Sequence, residues 1–293
     1  MNSKYEISTK ENREFLKASC EELLNFGHRF PSPNGGSYYL GDDGTPWKDR
    51  NRETWITCRM AHVYSLGLML GHEGSEELAD AALKGLKGEL HDEKNGGWYA
   101  GVTPEGDIVP NKQCYAHAFV ILAASSALTA GRPGAKELLE EALAVYDRHF
   151  WNEEEGLACD TWNTEFTVLD DYRGLNANMH TVEAFLAAGD VTGDKKYHIR
   201  AGRIIDHVIQ WAEDNSWRIP EHFTKEWVAD LDCNRDRPDD PFKPYGATPG
   251  HGIEWARLIT QWTLANCGEE KEKLEIHLQA CLLYTSDAAD DKA

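Results

Sequence analysis

The stretch Thr248-Pro249-Gly250-His251-Gly252-Ile253-Glu254-Trp255 sets an imidazole and a carboxylate three residues apart. Pro249 and Gly250 break the chain and Thr248 offers a cap. From Gly252 the apolar positions Ile253, Ala256, Leu258, Ile259 and Trp262 follow helical spacing. Residues three apart on a helix are neighbours on one face. A carboxylate beside an imidazole fixes its tautomer and holds its pKa near neutrality, as proton transfer requires. The spacing alone equally fits an ordinary helix start with a solvated histidine.

Three further clusters have the same flavour. His180 and Glu183 repeat the His-x-x-Glu spacing, with Asn176 one turn earlier on the His180 face. In Trp55-Ile56-Thr57-Cys58-Arg59, Arg59 lies amid Ile56, Met60 and Val63. A guanidinium so placed is expected to point into a cavity and demand oxygen partners, from a polyol or an anionic group, unless a structural ion pair takes it. The run from Lys112 to Phe119 offers Tyr115 and His117 as hydroxyl contacts, or as core or capping residues. Ahead of His251, the Pro- and Gly-rich run from Asp239 to Gly246 would form a rigid loop, with Lys243 either a second cation at the cavity mouth or a solvated lysine. None of these spacings is of the H-E-x-x-H kind, so no metal is expected.

The elements that must position these residues are helices. Apolar periodicity predicts them over 11–26, 52–70, 75–90, 113–130, 135–149, 176–188, 195–213 and 252–266, with a short hairpin over 92–110. A repeat of about 60 residues runs through them: a helix pair, a polar turn, then an extended segment. One pair cannot bury its apolar face alone, so pairs must stack as a solenoid or a closed toroid. The wide apolar face of Ala116, Phe119, Val120, Leu122, Ala123 and Leu128 predicts an inner ring of helices wrapped by an outer one. The fold class expected is all-α, an (α/α)6 barrel. Six pairs need about 360 residues, and 293 are present, so the expected barrel is C-terminally truncated.

The segment Cys281–Ala293 reads like a translated sequencing adapter. The expected division is therefore an incomplete barrel domain over 1–280 and a non-native tail over 281–293, the parent continuing with about two more helix pairs. Composition narrows the rest. A net charge of −20 repels duplexes and anionic membranes, so neither nucleic acid nor membrane is expected as a partner. Seven widely spaced cysteines, without a CxxC, fit free thiols in a reducing cytoplasm. The polar residues 1–17 show no signal peptide, and no run reaches the roughly 18 apolar residues of a membrane span. A cytoplasmic protein is expected, and a homo-oligomer stays open.

Taken together, Trp55-x-x-x-Arg59, Asn176-x-x-x-His180-x-x-Glu183 and Thr248-Pro-Gly-His251-x-x-Glu254-Trp255 resemble the N-acylglucosamine 2-epimerase superfamily, most closely its bacterial mannose isomerase and sulfoquinovose isomerase group. The resemblance covers about residues 10–280. It implies an (α/α)6 barrel with a sugar in the central cavity and no obligatory cofactor. By position, Trp55, Arg59, Tyr115, Asn176 and His180 match residues that contact the sugar. His251 matches a histidine of ring opening or proton transfer, and Glu254 its partner. The family has a further acid/base histidine towards its C-terminal end, with no counterpart here. The chemistry expected is aldose–ketose isomerisation of a monosaccharide: ring opening, removal of the C2 proton, and reprotonation of a cis-enediol at C1. His251 oriented by Glu254 would move protons, while Arg59 and His180 would steady the developing oxyanion. A 2-epimerase on the same barrel is the alternative. A glycoside hydrolase drawing on Asp160, Asp170 and Asp171, or a non-catalytic helical scaffold, fits less of the pattern.

Overall fold

A computed structural model describes residues 6, 8–240 and 243–266; the adapter-like tail lies outside the described residues. Eight α-helices appear among them: α1 (Lys10–Phe26), α2 (Thr54–Met69), α3 (Ser75–Leu86), α4 (Cys114–Thr129), α5 (Ala135–His149), α6 (Leu175–Thr192), α7 (Lys195–Asp214) and α8 (Pro249–Asn266). All eight coincide with the periodic segments of the sequence. The differences are at the ends, where local chemistry decides. α3 stops at Leu86, four residues short, because Lys87-Gly88 leads out of it. α6 runs on to Thr192, where Gly193 closes it in the left-handed conformation at φ 72°. α8 begins at Pro249, not Gly252, since a proline at the first helical position gives up an amide that has no partner there anyway. His251 therefore stands inside the first turn.

Packing sorts the helices into two layers. α2, α4, α6 and α8 contact one another in succession, while α3, α5 and α7 each pack on the preceding inner helix. Composition explains the sorting. α4 is covered on both sides, so Ala116, Ala118, Val120, Ile121, Ala123 and Ala124 are all buried. α5 and α7 present one apolar face inward, Leu138, Ala142 and Tyr146 in one, Ile204, Ile205 and Val208 in the other. The inner-to-outer links of the first two pairs are the same device, Gly71 and Gly74 in one and Gly131 and Gly134 in the other. All four have φ near 70–80°, which side-chain-bearing residues seldom adopt.

The outer-to-inner links are longer and carry, among the described residues, eleven two-residue strands. These are β1 (Tyr39–Leu40), β2 (Pro46–Trp47), β3 (Arg52–Glu53), β4 (Gly101–Val102), β5 (Ile108–Val109), β6 (Lys112–Gln113), β7 (Trp151–Asn152), β8 (Leu157–Ala158), β9 (Thr161–Trp162), β10 (Arg173–Gly174) and β11 (His222–Phe223). They pair antiparallel as β1-β2, β3-β4-β5, β6-β9, β7-β8 and β10-β11. The β4-β5 pair is the hairpin expected over 92–110. β3, β6 and β10 each stand immediately ahead of an inner helix and open with a buried basic residue, Arg52, Lys112 and Arg173. Lys112 is completely buried against Asp92 at 2.9 Å, and Arg52 pairs with Glu89 at 2.7 Å. The first amides of the inner helices are closed in series from the next repeat: Thr54 N donates to Ala100 O, Cys114 N to Asp160 O, and Leu175 N to Glu221 O, at 2.8–3.0 Å. These small ladders hold the N-terminal ends of the inner helices together at one rim. No helix among the described residues is long and apolar enough to cross a membrane.

Candidate functional site

The repeat places one residue of each kind at the same rim. The second positions of α2, α4 and α6 are Trp55, Tyr115 and Asn176, and all three line a cleft of about 540 Å³. Glu53, Gln113, Asp160, Tyr172 and Lys243 complete much of its wall. One turn below on the same three helices lie Arg59, Phe119 and His180. Arg59 Nη2 donates to the Tyr115 hydroxyl at 3.2 Å, and its guanidinium lies over the rings of Trp55 and Phe119, 5.1 and 4.7 Å from their centroids. The His180 ring stands edge-on to Tyr115, with centroids 5.1 Å apart. Arg59, Tyr115 and His180 thus form one connected layer. Arg59 is exposed along the inner face, no ion pair takes it among the described residues, and its oxygen partner there is a phenol. Burial pushes the Tyr115 phenol up, so it remains a neutral hydroxyl.

The two His-x-x-Glu pairs diverge. His180 Nδ1 meets Glu183 at 3.2 Å, as the spacing predicts. Burial pushes the Glu183 carboxyl up, but the hydrogen bonds and charges of His180 and Arg257 outweigh it and bring it down to about 2. Arg257 Nη2 lies 2.7 Å from Glu183 and ties α8 to α6. His251 does not pair with Glu254, which is exposed. Its Nδ1 is 2.9 and 3.0 Å from the two carboxylate oxygens of Glu221. The expectation of Glu254 as hydrogen-bond partner is corrected on this point: the segment ahead of β11 reaches the α8 start and brings a buried carboxylate closer than the helix can. Burial opposes charge on His251, yet the Glu221 hydrogen bond and the charges of Glu221 and Glu254 raise its pKa above 6.5. His117, by contrast, is core. Its Nδ1–H donates to Gln113 O at 2.7 Å and Nε2 accepts from Trp98 N–H at 3.1 Å. Burial drives it down to about 3.

The far wall of the cleft contains groups whose chemistry sequence reasoning had not singled out as one unit. Asp160 is raised to about 6, chiefly by burial, with the Lys243 charge opposing. Lys243 Nζ sits 3.5 Å from the centre of the Tyr172 ring. The Tyr172 hydroxyl donates to His222 Nδ1 at 2.7 Å, and His222 Nε2–H donates to Pro244 O at 2.7 Å. The loop ahead of α8 is thereby fastened across the cleft, with Lys243 and Arg237 as part of its lining. Among the described residues, no three His, Cys, Asp or Glu side chains converge as a metal site would require. The arrangement offers aromatic and amide surfaces for a polyol, a cation–phenol–imidazole layer for a developing oxyanion, and a carboxylate-held imidazole.

Comparison with known proteins gives a consistent picture. The model of the N-acylglucosamine 2-epimerase (GlcNAc 2-epimerase) family matches residues 35–291. A D-mannose isomerase of Thermobifida fusca is 43% identical over 250 residues, which is 85% of this chain and 61% of that protein. The chain thus spans about three fifths of the length of the curated relatives it matches. A crystal structure of D-mannose isomerase superposes with a TM-score of 0.87 at 27% identity, over 98% of this chain and 74% of the other. A cellobiose 2-epimerase from Spirochaeta thermophila gives 0.79 at 19% identity, over 96% of this chain and 73% of that one. The second likeness shows the fold alone, and both are helical toroids of the (α/α)6 kind.

Proposed function

Because the chain belongs to the N-acylglucosamine 2-epimerase family, we propose that it derives from an aldose–ketose isomerase whose substrate is a mannose-type monosaccharide. The 43% identity to a D-mannose isomerase supports this substrate class. The observation that carries the chemistry is a pair of devices on the inner helices, the Arg59–Tyr115–His180 layer and the Glu221-held His251, with Glu221 tying the α8 start to the α6 start. With Nδ1 committed to a carboxylate, Nε2 is the basic nitrogen of neutral His251. It would take the C2 proton of the opened sugar. The resulting cis-enediolate can receive that proton at C1 on the same face, as O2 passes its own proton to O1 and becomes the ketose carbonyl. Charge developing on the oxygens would meet Arg59 and His180. Trp55, Tyr115 and Asn176 would hold the hydroxyls and ring faces.

Epimerisation at C2 is the second reading, favoured by the family description. It needs the proton returned to the opposite face, hence a second group there. The two part on product: mannose in D₂O yields fructose deuterated at C1 from an isomerase, and glucose deuterated at C2 from an epimerase. Formation of neither fructose nor glucose from mannose would end both readings. The five described cysteines, all free, support a reducing, cytoplasmic setting, and the −20 charge supports a neutral or cationic partner over nucleic acid.

A further inference from the structure

The helix-closing carbonyls recur at α2, α4 and α6, but a side chain is not needed for that task, since Ala100 performs it for α2. Glu221 does the same with its carbonyl for α6, and its side chain does something the others do not. It is a carboxylate only 6% exposed, and a buried carboxylate demands partners. Among the described residues those partners are at the α8 start: His251 Nδ1 at 2.9 Å and the Thr248 amide at 3.3 Å. Its neighbour His222 is paired with Gly174 at the α6 start. One residue therefore joins the first turns of two inner helices, by its main chain to one and by its carboxylate to the other.

We infer that Glu221, rather than Glu254, is the positioning residue of His251, fixing the Nδ1–H tautomer and sustaining the basicity of Nε2. The inference rests on the reading of His251 as the proton-transfer group. The physical need is plain. His251 lies in the first turn of α8, where the helix dipole disfavours a cation, and it is largely buried, which disfavours one further. Among the described residues the charges acting on it are Glu221, from the segment ahead of β11, and Glu254, from its own helix. Glu254 is exposed and acts through solvent; Glu221 acts through a direct hydrogen bond in a buried site.

The deciding experiment is long-range ¹H–¹⁵N NMR of the purified chain, with the His251 signals assigned by their loss in His251→Asn. The wild-type ring should be in the Nδ1–H form when neutral and should titrate above the ordinary 6.5. Glu221→Gln keeps an acceptor for the Thr248 amide and removes the charge. It should bring the titration below 6.5, while Glu254→Gln moves it less. Glu221→Asp should restore part of the upward displacement, which a purely structural residue would not do; circular dichroism certifies that each variant is folded. In mannose turnover, the acidic limb of the Glu221→Gln profile should move the same way, with kcat down about 10²–10⁴-fold and KM little changed. An unmoved His251 titration in Glu221→Gln, or a larger displacement in Glu254→Gln, overturns the inference. Absence of turnover in the wild type would count against the isomerase reading, and the NMR result would still stand.

Discussion

Glu183 is the residue whose environment makes the sharpest quantitative demand. Its folded pKa of about 2 lies below the ordinary 4.5, so its ion pairs contribute full stability above pH 4.5 and lose it as pH falls towards 2. Its side chain is 23% exposed, and the pairs should be worth on the order of 2–3 kcal/mol. Urea unfolding of wild type and Glu183→Gln should show the gap between them narrowing from about pH 5 down to about pH 2; a gap independent of pH would contradict the assignment. At the same scale, His251→Asn should lower mannose turnover by at least about 10²-fold with the urea midpoint little changed. Arg59→Met should lower kcat by about 10²–10³-fold if the guanidinium meets an oxyanion, and chiefly raise KM if it only binds hydroxyls. The residue types and their spacings were readable for Trp55, Arg59, Tyr115, Asn176 and His180, because each sits on a periodic helix. Glu221 was not readable: it stands in an irregular segment, and only aligning Asp160 with Glu221 across repeats would have exposed its equivalence to a helix-closing position.

Elements are held by contacts that leave little slack. Lys112 and Asp92 are both wholly inaccessible. Asp92 also accepts the amides of Lys94 and Asn95, and its carboxyl is held well below its ordinary value against the cost of burial. Removing one partner strands the other charge, so Lys112→Met should cost about 3–5 kcal/mol by denaturant titration. A loss under 1 kcal/mol would mean that the pair is dispensable. Gly85 on α3 passes directly against the backbone of Gly36. A methyl group there would overlap main-chain atoms that cannot rotate away, and Gly85→Ala should destabilise by about 1–3 kcal/mol. Helix order and extent were legible from apolar period because outer helices need one greasy face and inner ones two. The eleven two-residue strands were mostly not legible. They are too short for alternation to show, and they exist because the rim brings backbone amides together rather than because their side chains favour it.

Among the described residues, the inner helices contact one another in the order α2, α4, α6, α8, and apolar side chains stand exposed near both ends of that series. Leu23 on α1, Leu70 at the end of α2 and Leu264 on α8 are each 71% exposed. Such surface binds hydrophobic dyes and promotes association. The chain should enhance anilinonaphthalene sulfonate fluorescence at neutral pH, and Leu23→Ser with Leu70→Ser should reduce the enhancement without lowering the unfolding midpoint by more than about 1 kcal/mol. The repeat itself could be read in the polar turns after each outer helix, and with it the stacking of pairs. The side on which the chemistry gathers could not, since a solenoid offers two rims of similar composition. Geometry decides it: α2, α4 and α6 open onto the same cleft, and α8 begins beside them. Each peptide column ends there with about half a positive charge. In a protein of net charge −20 the positive ends of these helix dipoles thus face the rim where, on the proposed reading, an enediolate would form, and the backbone, before any side chain is chosen, favours that charge.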